Sequence, residues 1–199
     1  MSKVLRNFYE FFCDFLTSSK RCATIYGKCG KVSEIQMERE VKIRIESITY
    51  EVEASLFGLD EADVLEVADE DIQASVEPDK IEIKTFGTFK IDGDRAEISY
   101  EESEATGMEG SVTSVSFDMR EPGLVTMGRT GIVSTVLVFE RAKRHHCIYQ
   151  TPYMPFEICV NTLDVRNRIA EAGTLELDYV IEIRGAKAER TKFIMKIMD

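Results

Sequence analysis

Residues 174–184 read TLELDYVIEIR. Leu175, Leu177, Tyr179, Ile181 and Ile183 alternate with Glu176, Asp178, Glu182 and Arg184. Strict alternation places one face of a strand in a core and the other in water. The reading extends outward from there. Strands are expected near 80–91, 95–102, 111–118, 122–129, 132–140, 145–152, 155–163, 174–184 and 189–198. One more runs from Glu40 to about Ala54, opened by Val41, Ile43 and Ile45. Asp92-Gly93-Asp94 is a hairpin turn signal, and Pro122-Gly123 and Arg141-Ala142-Lys143-Arg144 mark further turns. One helical interruption is expected over Leu163–Ala172, near 164–171, ended by Gly173 as a C-cap.

Ten short strands joined by short connections make a mainly all-β, antiparallel domain. A sheet of that width tends to curl or close, which also removes its edges. A single β-barrel of about eight to ten strands is therefore the first expectation, and a two-sheet sandwich the second.

At 199 residues a core forms without staples, burying about 70% of the unfolded chain's surface. The net charge of −11 argues against nucleic acid and against an anionic membrane surface as partners. The five cysteines are odd in number and lack a C-x-x-C pair. They read as reduced thiols of a cytoplasmic protein. No run of 18 apolar residues marks a transmembrane helix.

Two segments stand apart. Residues 1–36 carry six basic residues against three acidic ones. Val4, Leu5, Phe8, Phe12, Phe15 and Leu16 recur there at helical spacing, so 3–19 reads as an N-terminal amphipathic helix. The equal alternative is that Met37 is the natural start, with the barrel domain spanning 37–199. The second segment is an acidic insertion at 58–79; Asp60–Asp79 holds nine carboxylates and no base. It reads as a solvated, partly helical insertion, or as a docking surface for a basic partner.

The more apolar face of each strand points inward, and its polar members are the candidate site. They are Tyr100, Glu102, Thr113, Arg129, Tyr149, Thr151, Thr162 and Tyr179. The strand 132–140 is apolar on both faces and cannot be assigned in this way. A buried charge is costly unless paired, so Glu102 and Arg129 either meet or both lie at the barrel mouth. A pocket with apolar walls and a few convergent polar groups suits a small hydrophobic or amphipathic ligand. The plain structural reading is that strand ends carry polar residues and tyrosine hydroxyls find backbone partners.

No catalytic residues, cofactor or metal emerge. His145-His146-Cys147 falls short of a zinc ligand set, which needs three or four ligands. His145 and Cys147 share a face of their strand while His146 points away. Glu101 and Glu102 diverge for the same reason, which makes them a poor glycosidase pair. No phosphate-binding glycine motif is present.

Five stretches, taken in order, carry a resemblance: Tyr100-Glu101-Glu102, Met127-Gly128-Arg129-Thr130-Gly131, Tyr149-Gln150-Thr151-Pro152-Tyr153, Asn161-Thr162 and Leu175-Glu176-Leu177-Asp178-Tyr179. Together they resemble the YwiB-like bacterial proteins, a domain-of-unknown-function family with a calycin-like, lipocalin-like β-barrel. The match covers about residues 80–198 and the first strand at 40–53. The resemblance implies a cytoplasmic protein with no established activity. The family pattern has glycine after Thr-Pro-Tyr where this chain has Met154-Pro155, so that turn is expected to be remodelled. The functional expectation is small-ligand binding in the barrel. The alternative is a protein-interaction module with a filled barrel, using the acidic insertion or the N-terminal helix. An enzyme using Glu102 is a distant third.

Overall fold

The computed structural model describes residues 36–52, 77–183 and 188–198. The expected helix at 3–19 and almost all of the acidic insertion lie outside these residues. Five strands come first: β1 (Gln36–Val52), β2 (Asp79–Asp92), β3 (Arg95–Glu101), β4 (Val112–Asp118) and β5 (Glu121–Thr130). Five follow: β6 (Ser134–Glu140), β7 (Lys143–Gln150), β8 (Pro155–Arg168), β9 (Thr174–Ile183) and β10 (Ala188–Met198). A 3₁₀ turn lies at Glu104–Thr106 and one short helix, α1, at Ile169–Ala172.

Each strand pairs antiparallel with its chain neighbours, and β1 pairs with β10 to close the barrel. Closure decides between barrel and sandwich, because every strand then has a neighbour on both sides. The hairpin at Asp92 forms as its residues dictate, with Gly93 at φ 60°. The alternating apolar residues meet inside. Ile43, Phe89, Ile98, Val115, Val125, Phe139, Leu175 and Met195 are fully buried, so side chains fill much of the interior. β6, unassigned from sequence, turns Thr135, Leu137 and Phe139 inward and leaves Val136 exposed.

The expected helix over Leu163–Ala172 is corrected. β8 runs on through Arg168, and only Ile169–Ala172 is helical. A register shift between Thr162 and Asp164 leaves Leu163 as the extra residue of a bulge. Beyond it Val165 pairs with Leu177 and Asn167 with Leu175. Cross-strand ion pairs from Arg166 and Arg168 to Glu176 lie on the outer face, at 3.7 and 3.4 Å. Those tertiary partners outweigh the helical preference of the residues, as the context dependence of strand formation allows. Gly173 does end α1, at φ 64° with its N–H donating to the Ile169 carbonyl.

Candidate functional site at the barrel mouth

The C-terminal ends of β3, β5 and β7 share one rim with the starts of β4, β6 and β8. Just inside it runs a row of cross-strand neighbours. Tyr100 pairs with Thr113, Thr113 with Arg129, Arg129 with Thr135, Thr135 with Tyr149 and Tyr149 with Phe156. Antiparallel pairs on one face are in side-chain contact, so the register itself gathers these groups.

Glu102 lies one step beyond β3, and its N–H donates to the Ser111 carbonyl at 2.8 Å. That bond extends the ladder and aims the carboxylate back over the row. Thr113 donates its hydroxyl to Glu102 Oε1 and accepts from Arg129 Nε at 3.1 Å. Arg129 Nη2 donates to the same carboxylate oxygen at 3.2 Å. The Glu102 side chain is 2% exposed and the Arg129 side chain 18%. A buried charge pair of this kind is tolerable only when its remaining lone pairs and protons are also matched, which is what Thr113 contributes.

Tyr100 is buried beside this group, directly across from Thr113 in the ladder. Burial first and the Glu102 charge second push its hydroxyl well above the usual tyrosine range. A second row crosses the opposite wall. Thr162 pairs with Tyr179, Tyr179 with Thr191 and Thr191 with Thr49. Burial raises the Tyr179 hydroxyl above the usual range, with the Arg129 charge partly opposing, and the Thr191 and Thr49 hydroxyls lie 3.3 Å apart. The Tyr179 ring packs on Phe139 at 4.8 Å between centroids.

Of the expected site residues, Glu102, Thr113 and Arg129 form one hydrogen-bonded cluster, with Tyr100 buried beside it. Tyr179 faces it from the far wall. Tyr149 joins the row but stacks on Phe156, 5.2 Å between centroids. Thr162 is fully buried, with no hydrogen-bond partner for its hydroxyl among the described residues. Thr151 lies beyond the end of β7. Its hydroxyl donates to the Met154 carbonyl at 2.8 Å and accepts from two amides, closing the turn at 151–154. Sequence reasoning missed Thr135, Thr49 and Thr191. Thr135 carries no signal because β6 is apolar on both faces; its parity follows only from pairing with Arg129. Cys147 points inward from β7, and burial pushes its thiol up rather than activating it. His146 contacts Glu157 on the outer face at 3.0 Å. Among the described residues, no helix is long and apolar enough to cross a membrane.

The fold and this polar rim define a closed, ten-stranded up-and-down barrel with a charged pair at one mouth. The chain belongs to the family described as Domain of unknown function (DUF1934), whose model matches residues 66–195. Its fold is similar to that in the crystal structure of ywiB protein from Bacillus subtilis. The likeness has a TM-score of 0.55 at 14% identity and covers 80% of this chain and 94% of that one. No curated protein matches the chain.

Proposed function

We propose that the barrel binds a small, partly apolar ligand carrying an acidic group at its mouth. The observation that carries this reading is the state of Arg129. Its Nε and Nη2 are held by Thr113 and Glu102 while the side chain keeps 18% exposure. Among the described residues Nη1 has no partner, so one edge of a pre-oriented guanidinium faces outward. Arginine presented in this way suits a carboxylate or a similar anion. The half-buried rings of Tyr149 and Phe156 lie on the same row and offer an apolar rest. The filled interior below limits the ligand to something small held near the rim. The chemistry is recognition, since no group in the cluster is placed to attack a bond. In a reduced, cytoplasmic setting such a protein would carry or sense its ligand.

Native mass spectrometry of protein purified gently from its host tests this. Extra mass lost on denaturation, and absent from Arg129→Met, is the expected result. The chain has no tryptophan, so a decanoate titration can be followed by tyrosine fluorescence. A bare native mass together with no response to decanoate would sink the proposal. The alternative, an interaction module acting through 58–79 or 3–19, rests on segments that lie almost wholly outside the described residues.

A further inference from the structure

Five large apolar side chains are exposed at one place on the outer wall. Ile132 is 57% exposed, Val136 56%, Ile148 59%, Tyr153 96% and Met154 63%. Register joins them. Ser134 pairs with Gln150 and Thr135 with Tyr149. That sets the turn holding Ile132 beside the turn holding Tyr153 and Met154. One step further from the rim, Val136 and Ile148 are the outward neighbours of that inward pair. Together they uncover several hundred Å², near the upper end for a patch on a monomer. That is also close to the ~800 Å² each partner gives to a standard interface.

A second observation falls on the same spot. The β6–β7 ladder comprises only those two pairs, whereas β7 and β8 pair over eight. Just past Thr135 a side chain bridges the two strands: Thr135 Oγ1 donates to the Ile148 carbonyl at 3.1 Å. The Cys147 thiol turns to the His145 carbonyl of its own strand, at 3.8 Å. Among the described residues, the shortest strand ladder of the barrel therefore runs directly beneath this apolar patch.

Charge selects the occupant. Elsewhere the outer wall carries ion pairs, among them Arg44–Glu82, Arg144–Glu182 and Arg166–Glu176. Among the described residues the five patch side chains have no ion pair between them; the His146–Glu157 contact adjoins the patch, Glu157 being the cross-strand partner of Ile148. In a chain of net charge −11, two copies repel at most approaches. A face without charge is where they can meet without that cost. We propose that this face, Ile132, Val136, Ile148, Tyr153 and Met154, is a two-fold interface between two copies of the chain. Val136 and Ile148 lie nearest the axis. A closed two-fold contact uses the same patch on both partners, and it shields the short ladder from water. The inference is independent of any ligand at the mouth.

Sedimentation of the full chain over a wide concentration range tests it. The wild type is expected to associate to a dimer. Val136→Lys/Ile148→Lys places charge at two already exposed positions. It is expected to weaken association by at least about tenfold with the far-ultraviolet spectrum retained. Should that variant misfold, Tyr153→Ser/Met154→Ser in the turn carries the same expectation. A wild type that stays monomeric throughout overturns the proposal. So does a dimer that survives either folded variant unchanged.

Discussion

Arg129 Nη2 lies 3.2 Å from Glu102 Oε1, and Thr113 is hydrogen-bonded to both residues. The three come from successive strands, so the contact exists only if β3, β4 and β5 keep their register. Removing Arg129 alone strands the carboxylate of a side chain that is 2% exposed. Arg129→Met is expected to cost about 2–3 kcal/mol, below the figure for a fully buried pair because the arginine side chain keeps some water. Glu102→Gln with Arg129→Met removes both charges and is expected to recover much of that loss. Urea midpoints of the two single variants and the double close the cycle. Strictly additive losses would mean that the two side chains do not interact.

The two tyrosines set an alkaline limit. Burial raises both Tyr100 and Tyr179 above the ordinary value. In the unfolded chain they lose their protons near pH ~10. Above that pH the unfolded state gives up protons the folded state retains, so unfolding is favoured. The stability tied to these hydroxyls is complete below pH ~10 and falls as the pH climbs toward the folded values. Thermal midpoints between neutral and strongly alkaline pH should show this fall, and Tyr179→Phe should blunt it. An identical fall in Tyr179→Phe would remove Tyr179 from the account.

Gly87 pairs with Tyr100 on β3. A β-carbon there would lie 2.5 Å from the Ser99 carbonyl oxygen and 2.6 Å from Ile43 Cδ1. The first of these is backbone and cannot step aside without opening the β2–β3 ladder. Gly87→Ala is expected to destabilise by roughly 1–3 kcal/mol through overpacking. Unchanged denaturant unfolding would show that the wall can give at this point.

Thr162 is fully buried and its hydroxyl has no hydrogen-bond partner among the described residues. An unmatched buried hydroxyl costs free energy that an apolar group of the same shape avoids. Thr162→Val should therefore raise stability by about 1 kcal/mol. A clear drop in the unfolding midpoint would mean that the hydroxyl has a partner, such as a bound water.

Much of the site was legible because alternation has a period of two and any inward apolar residue fixes the parity of its strand. Ile98 places Tyr100 inside, Val115 places Thr113 and Met127 places Arg129. The logic failed where its premise failed. β6 offers no polar face, so Thr135 went unseen. β7 stops at Gln150, so the parity that put Thr151 inside no longer applied and its hydroxyl was left to close a turn. At Leu163 a single bulged residue reset the alternation. The stretch Asp164–Arg168 looked helical because its strand partners, Leu177 and Leu175 among them, lie across the turn in β9 and leave no mark within the stretch itself.

The sequence by itself determined the all-β class, the strand order along the chain, most of the turns and the inward face of nearly every strand. These depend on local spacing and on residues that favour turns, which act within a few positions. Only the tertiary structure decided that β1 meets β10, that Arg129 and Glu102 share an oxygen through Thr113, and that β6 and β7 pair so briefly under an exposed apolar patch. The first two are contacts between segments apart in the chain, and the third is a register that the neighbouring strands impose. Such register is set by the barrel closing as a whole, and no local pattern encodes it.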